Sequence, residues 1–153
     1  ILAIEAINYL YPQITYDEIY RGLENTLHYG RMETVLDNVI IDGAHNIHAI
    51  EAIIISLQTT FNMYNIHVLF SALADKESSL MLERLQKHVR SITTTSFPDS
   101  RYVSLESLPY PFELDPLKAL KNLIENRKEN ELIIITGSLH FVGYVKNSII
   151  PHL

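Results

Sequence analysis

Short, largely apolar runs that end on polar turns and alternate with helix-period segments constrain this chain most. The run Asn38-Val39-Ile40-Ile41 stops at Asp42-Gly43-Ala44-His45-Asn46, and residues 46–60 that follow are apolar on most of a helical circumference. The order recurs: a strand over His67–Phe70, a helix over 78–87 and a strand over Val89–Thr95 follow one another. Later a strand over Leu132–Thr136 leads into a helix from Ser138. Strands that do not alternate apolar with polar are buried on both faces, which predicts a mostly parallel sheet with helices on each side. Two closely spaced strands, Glu33–Leu36 and Asn38–Ile41, predict a hairpin around Asp37-Asn38 and hence a short antiparallel edge strand. The expected fold is therefore α/β, in three α/β/α layers, with ligands at the carboxyl ends of the strands.

The remaining segments fit around that unit. A helix is expected over residues 1–11, broken by Tyr11-Pro12-Gln13, and Thr15 with Glu18 has the spacing of a capping box that opens a second helix to about Thr26. A short strand near Arg101–Ser104, a proline-rich connection at Pro109-Tyr110-Pro111 and a helix over Pro116–Asn126 complete the reading. A boundary falls near residue 28. The first seven residues, from Ile1 to Ile7, start in mid-helix without a cap, so the chain reads as a fragment. Tyr9, Tyr11, Tyr16 and Tyr20 lie in the two leading helices, where packing against a further domain is the expected role.

Composition removes several function classes. Twelve basic residues scattered among eighteen acidic ones leave a net charge of −6, which offers no clustered surface for a nucleic-acid backbone. Cysteine is absent, which rules out disulfides and thiolate chemistry in these residues and fits a reducing compartment. No apolar run reaches the roughly 18 residues of a membrane span, so the expectation is a soluble, cytoplasmic protein without a membrane partner.

The junctions carry the chemistry. Asn46 reads as an N-cap, Gly43 as the residue that lets the chain turn, and the free amides of the following helix favour an anion. Asp42 is either an acceptor for ribose hydroxyls or a metal-bound water, or simply the organiser of its turn. Arg31, after Gly30, is open to two readings: a bidentate phosphate or adenine contact, or a solvated surface arginine. His45 can bond to carboxylate or phosphate near neutrality, or cap backbone groups. His45 and His48 are three apart, but without a third ligand in sequence reach no metal site is expected. Ser138, after Gly137, can hold a carboxylate, cap its helix, or both. Asp75 and Lys76 follow the His67–Phe70 strand as a domain-closure or substrate contact, or as a solvated ion pair.

Taken together, Tyr29-Gly30-Arg31-Met32-Glu33, Asp42-Gly43-Ala44-His45-Asn46, Phe70-Ser71-Ala72-Leu73-Ala74-Asp75-Lys76 and Thr136-Gly137-Ser138-Leu139-His140 resemble the folylpolyglutamate synthase family, in its C-terminal Mur-ligase-like domain. The resemblance implies a Rossmann-like fold of Mur ligase C-terminal type over residues 29–153, with residues 1–28 as the helical tail of a central ATPase domain. It implies an ATP-dependent, ADP-forming ligase that joins L-glutamate to folate through an acyl phosphate. In that scheme Arg31 and Asp42 serve the nucleotide, His45 is the catalytic and substrate-facing residue, and Ser138 holds glutamate, with Asp75 and Lys76 as further loop contacts. No Gly-x-x-x-x-Gly-Lys-Ser/Thr occurs here, so the phosphate loop and the Mg2+ ligands are expected on the central domain, and the isolated chain is expected to be inactive. Three positions depart from the family pattern: Tyr29 replaces a proline, Ile47 replaces a proline at the first helical position, and His140 replaces an aromatic residue. Two alternatives are a receiver-like regulatory domain, which lacks here its acidic cluster and its lysine, and a Mur-type ligase for another amino acid.

Overall fold

The computed structural model describes residues 2–26, 28–74 and 76–153. Its elements are α1 (Leu2–Leu10), α2 (Tyr16–Glu24), β1 (Glu33–Leu36), β2 (Val39–Ile41), α3 (Ile47–Thr59), β3 (Asn65–Phe70), α4 (Ser78–Leu85), β4 (Ser91–Thr95), β5 (Phe112–Glu113), α5 (Pro116–Glu125), β6 (Glu131–Thr136) and α6 (Leu139–Tyr144). A π-helical turn at Val145–Ile149 and a 3-10 turn at Ile150–His152 continue α6, and the regular ladder ends where Pro151 has no amide to give.

One six-stranded sheet runs in the order β1-β2-β6-β3-β4-β5. Only β1 and β2 are antiparallel, joined through Asp37-Asn38, where Asn38 takes φ 55° at low cost because its short polar side chain tolerates the left-handed region. The other neighbours pair in parallel, with Ile41 opposite Ile135 and Phe70 opposite Thr136. The apolar strands split their side chains between two cores. Ile40, Val68 and Ile134 face α3 and α4, whereas Ile41, Leu69 and Ile135 face α5 and α6. That double burial is why these strands carry no polar alternation.

The topology makes a cleft. From β2 and β3 the chain leaves toward the α3/α4 side, but from β6, which lies between them, it leaves toward the α5/α6 side. Neighbouring strands whose chains depart in opposite directions leave a crevice at their carboxyl ends. β6 has one such neighbour on each side.

Most predicted elements stand, and the differences have physical causes. The segment at Arg101–Ser104 is no strand: it contributes one isolated bridge, Leu73 with Tyr102, because a turn at Asp99 closes the loop before a ladder can grow. The fifth strand is instead Phe112–Glu113, beside the prolines, whose lack of donors does not prevent Pro111 from accepting the Thr94 amide through its carbonyl. α1 and α2 bury no residue in the three-layer body, although Thr15 and Glu18 form the expected capping box. Among the described residues, no helix is long and apolar enough to cross a membrane.

Two stability predictions arise here. Asp115 caps α5 by accepting the Leu117 and Lys118 amides at 2.9 and 3.3 Å, with Pro116 preset at the first position. Asp115→Ala should cost about 1 kcal/mol in denaturant unfolding. At the amino edge of the sheet, Glu131 is buried and accepts the Lys128 amide at 2.9 Å, with His67 at 3.4 Å and Arg90 at 3.8 Å. That amide, His67 and Arg90 hold its carboxyl below the usual carboxylate range against the opposing effect of burial. A depressed carboxyl stabilises the fold above its unfolded value, near 4.3, and the contribution is lost as pH falls through the folded value. Thermal stability should therefore drop more steeply below about pH 4 in the natural protein than in Glu131→Gln, and equal slopes would remove Glu131 from the account.

Candidate functional site

The crevice around β6 gathers the three junctions. Beyond the strand ends, parallel pairing continues through the Asp42 amide to the Ile135 carbonyl at 2.9 Å and the Gly137 amide to the Ala44 carbonyl at 3.1 Å. On the other side, the Ser71 amide reaches the Thr136 carbonyl at 3.2 Å. The junctions after β2, β6 and β3 therefore lie side by side on one edge.

Asp42 is the organiser of its end of this ledge. One carboxylate oxygen accepts the Ala44 amide at 2.8 Å and the other accepts the Met32 amide at 2.9 Å. The second bond ties in the loop that precedes β1, as does the Gly43 amide donating to the Gly30 carbonyl at 2.7 Å. Met32 has φ 42°, a left-handed backbone that costs a non-glycine residue roughly 1–2 kcal/mol and persists only when its surroundings hold it. Between these anchors stands Arg31, half exposed, its guanidinium 3.9 Å from Asp42. With five donors and one long contact, it has hydrogen-bonding capacity left for an anion.

His45 is oriented by its own turn. Its Nδ1 lies 2.8 Å from the Gly43 carbonyl, and a carbonyl only accepts, so Nδ1 carries the proton and Nε2 holds the lone pair in the neutral ring. Half-buried at the start of α3, it can accept a proton at Nε2 or, once charged, donate to an anion. Asn46 caps α3 through the Ala49 amide at 2.9 Å, as its sequence position indicated. Gly43 sits at the turn its sequence position indicated, and the side chain it makes room for is on α6. Its φ is not left-handed; a Cβ there would lie 2.2 Å from Leu139 Cδ2, so the glycine allows α6 to pack directly against the turn.

Ser138 is buried and caps α6 through the His140 amide at 3.2 Å. The preceding Gly137 has φ 113°, and a Cβ on it would lie 2.4 Å from the Ser71 carbonyl oxygen. The backbone of two junctions thus meets at a single glycine. Lys76 is half-buried in the β3–α4 loop and lines a cavity of about 380 Å³ with Glu77, Ser78 and Ser104. Asp75 lies outside the described residues.

The structure adds a group that sequence reasoning missed. Arg101 lies 3.1 Å from His140 and is paired with Asp99 at 3.2 Å, while its carbonyl accepts the Ala74 amide at 2.9 Å. Arg101 hydrogen bonding, ahead of its charge and that of His140, holds the Asp99 carboxyl below the usual range. Phe97 packs against both Tyr102 and Phe141, pinning this loop to α6. The pattern Asp99-Ser100-Arg101 is an Asx-type turn, which was the available signal; its closeness to a histidine 39 residues later was not readable.

The profile of the family described as Mur ligase, glutamate ligase domain matches residues 30–139. The chain belongs to this family. The receiver-like alternative is not favoured. Among curated relatives, this Mur ligase glutamate ligase domain is 32% identical over 156 residues to the dihydrofolate synthase/folylpolyglutamate synthase of Bacillus subtilis (strain 168), covering 95% of this chain and 36% of that protein. Its fold matches a bifunctional folylpolyglutamate synthase/dihydrofolate synthase from Yersinia pestis, complexed with AMPPNP and Mn ion, with a TM-score of 0.80, 22% identity, and coverage of 92% of this chain and 35% of that one. A further structure of such an enzyme, with Mn, AMPPNP and L-glutamate bound, gives a TM-score of 0.78 at 22% identity, covering 92% of this chain and 36% of that one. At that identity the likeness is one of fold. The chain spans about a third of the length of these relatives.

Proposed function

We propose that this chain is the C-terminal domain of a folylpolyglutamate synthase, an ATP-dependent, ADP-forming ligase that adds L-glutamate to folate in the cytoplasm. The observation that carries the reading is the convergence of the β2 and β6 junctions with Arg31 on one edge of the sheet. Support comes from the Bacillus subtilis relative's name and from the AMPPNP and L-glutamate bound to proteins of the same fold. Residues 1–28 would belong to the central domain, whose surface would cover the exposed Tyr9, Tyr11, Tyr16 and Tyr20.

ATP supplies the phosphoryl group that turns the folate carboxylate into an acyl phosphate, on which the amino group of glutamate displaces phosphate. Toward that reaction Arg31 offers a charge-assisted contact to the nucleotide, and Asp42 holds the Arg31 loop while its remaining lone pairs can accept a ribose hydroxyl. Ser138 presents its hydroxyl to the carboxylate of glutamate. His45 Nε2 would hold the incoming amino acid or take the proton its amine loses on attack. Lys76, with Asp75 beside it in sequence, would contact glutamate or the closing domain. The ligands for Mg2+ would lie on the central domain.

The test is ADP release by the full-length protein. It should require folate and L-glutamate together, and the isolated 153-residue chain should release none. ADP release driven by a different amino acid would transfer the chain to another branch of the family. In the same assay, His45→Ala should lower ligation by about 100-fold with unchanged unfolding; intact kinetics would remove His45 from the site.

A further inference from the structure

We propose that Lys146, in the π-helical turn after α6, is a positioning residue for the nucleotide loop and acts on Arg31 through Glu33. The proposal rests on the reading that Arg31 contacts the nucleotide.

Lys146 and Glu33 are 113 residues apart in sequence, yet Lys146 Nζ donates to Glu33 Oε1 at 2.5 Å. The other oxygen of the same carboxylate accepts the Gly30 amide at 2.8 Å. Glu33 therefore spans the loop from its end back to its start, with Arg31 held between. Lys146 also lies over the Tyr29 ring, 4.2 Å from its centroid, so one ammonium group touches both flanks of the loop. Both members of the pair are largely shielded, with side chains 33% and 17% exposed, which strengthens the contact relative to a surface pair. Burial alone would raise the Glu33 carboxyl, but Lys146 and the Gly30 amide outweigh it and hold it below the usual range.

The loop needs such a clamp. Gly30 and Met32 flank Arg31 with φ of 67° and 42°, so the direction of the arginine is set by two left-handed residues. Asp42 holds the Met32 side through its amide, and Glu33 holds the Gly30 side. Without Lys146 the Glu33 carboxylate is drawn toward solvent, the Gly30 amide loses its acceptor, and Arg31 is no longer aimed at the ledge. Lys146 stands in the π-helical turn that continues α6, an irregularity frequent at functional sites.

A residue that merely pins the C-terminal helix would affect stability and leave the Michaelis constants alone. The full-length enzyme with Lys146→Met, Lys146→Arg, Glu33→Gln and Arg31→Ala separates the roles. Lys146→Met and Glu33→Gln should each raise the KM for ATP by roughly tenfold, the range open to residues that act through a neighbour, with the KM for glutamate unchanged. Lys146→Arg should restore most of the loss, and Lys146→Met added to Arg31→Ala should cost nothing further. If Lys146→Met does not fold, Glu33→Gln and Lys146→Arg carry the comparison. Equal rises in both Michaelis constants, or a lower Tm with an unchanged KM for ATP, would overturn the positioning role while leaving Arg31 as a ligand. An unchanged KM for ATP in Arg31→Ala would overturn the reading beneath it, and this proposal with it.

Discussion

Arg31→Ala in the full-length enzyme is expected to raise the KM for ATP by roughly 30-fold, the loss of about 2 kcal/mol carried by a charge-assisted hydrogen bond. Arg31 keeps a half-exposed guanidinium with one long contact to Asp42, at 3.9 Å, while the backbone on both sides of it is held by Asp42 and Glu33. A surface arginine without a function has no need of a clamped, left-handed loop. Arg31→Lys should recover the charge but not the fork, and so only part of the affinity. Because the side chain supports no core residue, the Tm should move by less than about 2 °C, in keeping with a surface change. Kinetics unchanged by Arg31→Ala would return this residue to the surface.

The largest effect on stability is expected from Gly137→Ala. Its φ of 113° is a conformation that an L side chain rarely adopts, at a cost of about 1–3 kcal/mol. The added Cβ would also lie 2.4 Å from the Ser71 carbonyl oxygen and 2.8 Å from Phe70 Cε2. Neither neighbour can give way, since Phe70 is fully buried and the Ser71 amide is bonded to Thr136. The sum should approach about 4 kcal/mol, a fall in Tm of roughly 10 °C for a protein of this size. Gly22 and Gly143 are the internal controls: a Cβ at either meets nothing within 4 Å, and both sit in helices. Gly22→Ala should be neutral or stabilising by up to about 1 kcal/mol. Equal destabilisation at Gly137 and Gly22 would show that close contact between the junctions does not matter.

Much of the sheet was readable because its strands are buried on both faces. Val39–Ile41 and Leu132–Ile135 have no polar alternation to mislead, and their flanking turns are marked by Asn38, Asp42 and Gly137. Caps were equally legible at Thr15, Asn46 and Ser138, side chains whose local hydrogen bonds require only the next three residues. Strand β5 was not, because its two residues owe their pairing to β4 and not to any pattern of their own. The same limit applies to the site. Residues 42–46 and 137–138 announce themselves as strand-to-helix junctions, and α/β topology brings them together. Gly43 was legible as a turn residue, but not the partner it makes room for, Leu139, almost a hundred positions away in the chain. The Lys146–Glu33 pair and the Arg101–His140 contact were invisible for the same reason. A contact between distant segments leaves no periodicity behind it.

On the proposed reading one ledge divides its work, with Arg31 and Asp42 at the nucleotide and Ser138 at the amino acid. A crystal structure of the full-length protein with a non-hydrolysable ATP analogue and L-glutamate tests it most directly. The expected result is a nucleotide phosphate or ring within hydrogen-bonding or stacking distance of Arg31, and a glutamate carboxylate within hydrogen-bonding distance of Ser138. Both ligands bound elsewhere, out of reach of Arg31 and Ser138, would contradict it.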